Sequence, residues 1–307
     1  MSSSLDLSAR ARIALAASLV ITAWGLPRLP LVQRLAGGTA VPLAAGACAL
    51  VALLAARLPL GFRWGPPRSA RLVPDVARGF AVGAVCAAGL LFDDNAARLA
   101  AVWHDDRAAS VALLAGAAAW GAAVATTRQR TLWHWYAAAA GAALLPEAAV
   151  IALLRPSAPS GFVAPFVFFL IADTTVALVT EELAFRRALL GPPESARLSA
   201  LVLMAVAFGL WHAVQPAYGG APLGTFLGTA LGGFVAGCIY VLSGSLTVAA
   251  LYHGLHNAPL KALGGAPIAA GRAGLAGVLA LVSTAALAVT FGWMVYRRGD
   301  RESSGLS

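Results

Sequence analysis

Long apolar runs separated by short polar gaps recur along the whole chain. A membrane-spanning α-helix needs about 20 mostly apolar residues. Each run therefore predicts one transmembrane helix. The count is eight to ten, since the shorter runs at 79–92 and 246–260 also suit re-entrant or tilted segments. The predicted spans are 11–26, 39–56, 79–92, 108–126, 133–154, 161–190, 198–213, 222–243, 246–260 and 273–296. The predicted fold class is therefore all-α, a polytopic transmembrane helical bundle.

Composition agrees with this pattern. Apolar residues make up 60% of the chain and charged residues 11%, and the mean hydropathy is +0.79. Soluble domains carry about 25% charged residues, so the chain lacks the polar surface of a soluble protein. The net charge of +9 would suggest nucleic acid in a soluble protein. Here the arginines fall between apolar runs, where they anchor loops to an anionic membrane face, so we expect a lipid bilayer and no nucleic acid as partner.

The distribution of charge predicts the orientation of the chain. The gap at 57–78 holds five arginines and the gap at 93–107 holds four aspartates. By the positive-inside rule the first gap is cytoplasmic and the second lies outside. With ten spans, an uncleaved first span and Arg297, Arg298 and Arg301 inside, both termini are cytoplasmic. The alanine- and arginine-rich composition is typical of a GC-rich prokaryotic genome, so we expect a prokaryotic cell membrane.

Polar residues at membrane depth concentrate between 173 and 257, which divides the chain into three parts. Residues 1–155 are predicted to form N-terminal transmembrane helices of unassigned role. Residues 156–265 carry the polar motifs and are predicted to be the catalytic core. Residues 266–307 are predicted to form the last transmembrane helix and a cytoplasmic tail. The pattern gives no indication of oligomeric state.

The first polar motif places Glu181 and Glu182 at the end of an apolar run. A charge at bilayer depth costs about 2.5–3.5 kcal/mol on insertion scales, so two adjacent carboxylates need a purpose. Glu182 and Arg186 are four apart with the acid first, which favours an ion pair on one helix face. Glu181 points about 100° away on an α-helix and is left for chemistry. The alternative is that both glutamates extend towards water at the cytoplasmic end beside the arginines.

Two further motifs place histidines in apolar runs. Phe208 and His212 are four apart, and so are His253 and Asn257, so each pair shares a helix face. His256 lies off the face of His253 and is the weaker candidate. A single histidine at a helix end is more often an interfacial or core residue than a catalytic one, and that alternative stays open for each motif taken alone.

Together the three motifs predict one polar cavity, because isolated polar groups in separate buried helices would each carry a desolvation cost. Glu181 would deprotonate a water molecule that His212 helps to orient. His253 and Asn257 would donate hydrogen bonds to a carbonyl oxygen as it gains negative charge. This chemistry is peptide hydrolysis without a covalent intermediate. By residue count His212 lies deeper than the other two motifs unless the segment after Arg197 is interfacial.

Glu181-Glu182-x-x-x-Arg186, Phe208-x-x-x-His212 and His253-x-x-x-Asn257, in this order, resemble the CAAX-processing and bacteriocin-processing (CPBP, or Abi) family of intramembrane glutamic proteases. The glycine-rich stretch 232–237 and the segment 243–246 are also similar. The resemblance covers about residues 160–260. It implies an eight-helix core whose cavity opens to the cytoplasm, with Glu181, His212, His253 and Asn257 catalytic and with Glu182 and Arg186 supporting them.

The sequence therefore predicts a membrane-embedded, metal-independent endopeptidase that acts on a membrane-associated or lipidated peptide or protein. No cofactor is expected, and zinc is kept as an alternative because a Glu/His set invites a metal, although no HExxH motif is present. Two other functions stay open. A non-catalytic membrane scaffold or bacteriocin-immunity factor would keep the fold, and a proton-coupled transporter would use Glu181 and the histidines as a relay. Asp173 is a candidate for extending the cavity, and Glu147 for a packing or functional role.

Overall fold

The computed structural model of the chain describes residues 14, 16–18, 20, 21, 133–154, 162–213, 222–263 and 272–303. In these ranges the structure is helical apart from a turn at residue 162 and short connections at 191–192, 196–197 and 244–245, and it has no β-strand, as an all-α fold class requires. The α-helices of the last four ranges are α1 (Trp133–Leu154), α2 (Val163–Ala177), α3 (Leu198–Ala213), α4 (Pro222–Ser243), α5 (Leu246–Leu263) and α6 (Arg272–Ser303). A π-helical segment (Leu178–Leu190) directly follows α2, and a short 3-10 turn (Pro193–Ser195) precedes α3.

The bounds of the helices agree closely with the predicted spans. The spans predicted at 198–213 and 222–243 coincide with α3 and α4, whereas α5 and α6 run beyond the ends of theirs. The predicted span at 11–26 is described at six residues, which are helical. The spans predicted at 39–56, 79–92 and 108–126 lie outside the described residues, so a count of eight to ten stays a prediction.

Three of the described helices are long and apolar enough to cross a bilayer. They are Trp133–Leu153 with 21 residues, Pro222–Ser243 with 22 and Gly274–Asp300 with 27. At a rise of 1.5 Å per residue, each exceeds the roughly 30 Å of the hydrocarbon core. Helix α3 is equally apolar but shorter, with 16 residues. These helices identify an integral membrane protein.

The segment that carries the two glutamates is not α-helical. The sequence predicts one α-helix over 161–190, but the structure changes from α to π geometry at Leu178 and keeps it for 13 residues. In a π-helix each N–H bonds to the carbonyl five residues back, which makes the turn wider, and such segments are frequent at functional sites. The predicted 100° between Glu181 and Glu182 is therefore wrong in detail, because it assumes α geometry.

Helix α5 lies among the other elements and packs against α1, α2, α4 and the π-helical segment. Helix α4 packs in turn against α3 and α6. The crossing of α2 and α5 is very close at Gly254, where an added Cβ would lie 3.0 Å from the carbonyl oxygen of Leu170 and would collide with the side chain of Thr174. Glycine at this position lets the helix that carries His253 lie directly on α2.

Candidate active site

Glu182 and Arg186 form a fully buried ion pair within the π-helical segment. Arg186 Nε lies 3.2 Å from Glu182 Oε2, and the two side chains are 1% and 0% exposed. The angle at this contact does not meet hydrogen-bond criteria, so the attraction is mainly one of charge. The i, i+4 spacing predicted this pair, and the contact persists although the segment is π-helical.

Arg186 also joins the segment to α3 and α4. Its Nη2 donates a hydrogen bond to the carbonyl oxygen of Gly233, 3.2 Å away. Its guanidinium carbon lies 4.4 Å from the centre of the Phe208 ring, a cation–π contact. A Cβ at Gly233 would approach a ring atom of Phe208 to 2.6 Å. The absence of a side chain at Gly233 therefore makes room for the aromatic ring, and the carbonyl oxygen of the same residue accepts a hydrogen bond from the arginine.

Glu181 lies between the two histidines named in the sequence analysis. Its Oε2 is 3.8 Å from Nε2 of His212 and 3.6 Å from Nδ1 of His253, and its side chain is 15% exposed. The same oxygen is buried and makes no hydrogen bond among the described residues. The structure thus brings together an acid and two histidines from three different elements, including His212, whose depth the sequence leaves open.

The hydrogen bond of His212 to its own helix decides which ring nitrogen faces Glu181. Its Nδ1 lies 3.0 Å from the carbonyl oxygen of Phe208, one turn earlier. A carbonyl oxygen can only accept, so Nδ1 carries the proton and donates it. In the neutral ring Nε2 is then the unprotonated nitrogen, and this is the atom that faces Glu181 Oε2. Both atoms are acceptors, and 3.8 Å is the kind of separation at which one water molecule can bridge two acceptors.

His253 contacts both glutamates through one ring nitrogen. Its Nδ1 lies 3.2 Å from Glu182 Oε1, within hydrogen-bonding distance, and 3.6 Å from Glu181 Oε2. An ionised carboxylate accepts only, so Nδ1 carries the proton here. Glu182 consequently has two partners, Arg186 through Oε2 and His253 through Oε1. The sequence predicts the first partner from spacing and misses the second, which is 71 residues away.

The Phe208 ring packs against this cluster. Its centroid lies 4.4 Å from that of His212 and 6.3 Å from that of His253, both in edge-on orientation. Asn257 follows His253 by one turn of α5 and is half-buried. Among the described residues its side chain makes no hydrogen bond to either glutamate, so its role stays a prediction from spacing.

Two further acids pair with bases on α5. Glu147 of α1 lies with its Oε1 3.0 Å from Nδ1 of His256. Asp173 of α2 accepts a hydrogen bond of 2.7 Å from Lys261 Nζ. Asp173 is therefore an ion-pair partner at the α2–α5 contact. Glu147 lies in the N-terminal part, residues 1–155, to which the sequence assigns no role. It nevertheless contacts α5, the helix that carries His253.

The sequence analysis does not identify Tyr240, which lies beside the segment that carries the two glutamates. Tyr240 of α4 donates a hydrogen bond of 3.0 Å to the carbonyl oxygen of Gly191 and accepts one of 3.4 Å from Arg187. Gly191 has a φ of 87°, which favours glycine, and it ends the π-helical segment. A tyrosine inside an apolar span is itself a signal, because a buried hydroxyl normally finds a hydrogen-bond partner.

The side chains of the site are those of acid–base chemistry. Within the described residues, no three His, Cys, Asp or Glu side chains converge in an arrangement suited to a metal ion. The metal-independent reaction and the zinc alternative both stay predictions.

Comparison with protein families places the three motifs within a family match. Residues 163–259 match the family described as type II CAAX prenyl endopeptidase Rce1-like. The matched segment begins with α2 and ends within α5, so it contains all three polar motifs. The family resemblance stated from the motifs is confirmed. Comparison with curated proteins and with solved structures gives no match.

Proposed function

We propose that the chain is an intramembrane endopeptidase that uses a water molecule activated by Glu181 and His212, and the match of residues 163–259 to the CAAX-protease family supports this proposal. One observation carries this proposal. Glu181 Oε2, buried and without a hydrogen bond among the described residues, lies within 4 Å of a ring nitrogen of each of two histidines from separate helices.

The water would be held between Glu181 Oε2 and His212 Nε2. It would donate one hydrogen bond to each acceptor, which directs a lone pair of its oxygen away from both. Glu181 takes a proton from the water as the oxygen attacks the carbonyl carbon of the peptide bond. The carbon–nitrogen bond then breaks, and the proton on Glu181 passes to the leaving nitrogen.

His253 and Asn257 would stabilise the oxyanion of the intermediate. The Nδ1–H of His253 is directed at Glu182, so its Nε2 can donate only when the ring carries two protons. Two carboxylates, Arg186 and a doubly protonated His253 have charges that sum to zero, and a low-dielectric site favours such a balance. Glu182 would therefore hold His253 charged, in addition to pairing with Arg186. A donor placed at a developing oxyanion contributes on the order of 10²–10³ in kcat.

The substrate class follows from location. The three apolar helices and the family match place the protein in a membrane, so the substrate would be a membrane-associated or lipidated peptide or protein.

The experiment is a cleavage assay of labelled membrane-peptide libraries with purified wild type and three variants, Glu181→Ala, His212→Ala and His253→Ala. His134→Ala is the matched control, because this histidine is exposed at the start of α1. We expect wild type and the control to cleave with and without chelators and the other three variants to lose cleavage. Equal cleavage by wild type and Glu181→Ala would exclude the proposed base. A cellular effect that survives Glu181→Ala would favour a scaffold.

A further inference from the structure

Helix α5 is held by acids on more than one side. Glu182 of the π-helical segment contacts His253, and Glu147 of α1 contacts His256. His253 and His256 are three residues apart, so on an α-helix they project about 60° from each other. Two polar contacts at different angles fix the rotation of a helix about its axis, which one contact alone does not.

The contact between Glu147 and His256 is well placed to fix the rotation of α5 about its axis. Glu147 is 3% exposed, its Oε1 lies 3.0 Å from His256 Nδ1, and its other oxygen is buried without a hydrogen bond among the described residues. The ring of His256 also stacks on that of Tyr252, with centroids 6.0 Å apart and planes at 5°. The histidine is therefore held on two sides.

Trp135 and Leu144 of α1 are partly buried against the core, but the fully buried apolar side chains of α1 are small. They include Ala139 and Ala143, both 0% exposed. Small side chains form low ridges, which interlock less with the grooves of a neighbouring helix than large side chains do. Side-chain atoms lie roughly 5–6 Å from a helix axis, so a rotation of about 20° would move the Nδ1 atom of His253 by about 2 Å. Such a shift would break its 3.2 Å contact with Glu182.

We propose that Glu147 is a positioning residue, which fixes the rotation of α5 through His256 and thereby holds His253 against Glu182. Glu147 lies before residue 163, outside the segment that matches the protease family. This gives the N-terminal part of the chain a role in the site. The kinetic test of the inference rests on the proposed function, whereas the spectroscopic test does not.

The kinetic test compares Glu147→Leu and Glu147→Gln with the matched control Leu145→Ala, which lies on the same helix and is 71% exposed. Glutamine keeps an acceptor for His256 Nδ1–H, so its kcat stays within about threefold of wild type. Leucine removes the acceptor, and misplacement of a catalytic group by about 1 Å lowers kcat up to about 100-fold. We expect a fall of about 10- to 100-fold in kcat for Glu147→Leu with KM unchanged. A wild-type kcat for Glu147→Leu overturns the proposal.

The spectroscopic test follows the ring nitrogens of His253 by ¹⁵N NMR of the histidine-labelled full chain in detergent micelles, with the signal assigned from His253→Ala. We expect the His253 signals to shift in Glu147→Leu and to keep their wild-type positions in Glu147→Gln and Leu145→Ala. Unchanged signals in Glu147→Leu, or equal shifts in all three variants, overturn the proposal. If wild type cleaves nothing, the proposed function fails while this measurement still decides the role of Glu147.

Discussion

Replacing Arg186 with methionine tests whether Glu182 and Arg186 form a charged, buried pair. The substitution keeps a side chain of comparable length but removes the cation 3.2 Å from Glu182 and the donor to the Gly233 carbonyl oxygen. Glu182 is 0% exposed and would remain as a buried carboxylate whose one remaining partner is His253. Removing one partner of a buried ion pair costs about 3–5 kcal/mol, because the other charge stays desolvated.

The second variant removes the charge that the first leaves behind. In Glu182→Gln/Arg186→Met no formal charge stays unpaired, and glutamine still offers an oxygen to His253 Nδ1. Replacing a buried pair by neutral groups of similar volume is often nearly neutral. We therefore expect the double variant to be more stable than Arg186→Met alone by about 2 kcal/mol or more, although it carries one more substitution.

The measurement is the free energy of unfolding in mixed micelles, titrated with a denaturing detergent and followed by tryptophan fluorescence and by helix content. Wild type, the single variants Glu182→Gln and Arg186→Met, and the double variant form a double-mutant cycle. A double variant as unstable as Arg186→Met, or a loss in Arg186→Met below about 1 kcal/mol, would refute the assignment of Glu182 and Arg186 as a charged, buried pair.

Two other substitutions test the packing around the site. Gly254→Ala should lower the free energy of unfolding and abolish cleavage, because its Cβ would lie 3.0 Å from the Leu170 carbonyl oxygen. A Cβ at Gly228 would meet no described residue of another helix within 4 Å, so Gly228→Ala should be neutral or stabilising by up to about 1 kcal/mol. Equal losses in both glycine variants, measured by the same unfolding titration, would contradict the close crossing. Tyr240→Phe removes the donor to the Gly191 carbonyl oxygen and should destabilise by about 1–3 kcal/mol; an unchanged unfolding curve would show that this hydrogen bond does not stabilise the π-helical segment.

Most of the described fold follows from the lengths of the apolar runs. The run at 222–243 coincides with α4, because both ends are marked by polar or helix-breaking residues. The prediction for α5 stops three residues early, since hydropathy falls at Lys261 while the helix continues to Leu263. The end of a helix depends on its backbone hydrogen bonds, which hydropathy does not measure.

The π-helical segment is the clearest feature that the sequence does not predict. Residues 178–190 contain neither glycine nor proline, so nothing marks a departure from α geometry. The pairing of Glu182 with Arg186 is predicted all the same, because long side chains tolerate the wider turn.

In the candidate site too, some contacts can be predicted from the sequence and others cannot. Contacts within one helix, such as Glu182 with Arg186, follow from spacing. Contacts between helices, such as Glu182 with His253 or Asp173 with Lys261, join residues 71 and 88 positions apart. They depend on how the helices cross, and the family resemblance indicates only which residues meet.

Glu181 is proposed to act as the general base, and single-turnover cleavage by Glu181→Gln tests this role. The amide keeps the size of the side chain but cannot take a proton from water, so the rate should fall by about 10²–10⁴-fold with the dissociation constant of the peptide unchanged. Glu194→Gln is the matched control, because this glutamate is exposed in the 3-10 turn, and it should cleave like wild type. A Glu181→Gln rate equal to that of wild type would show that Glu181 is not the base.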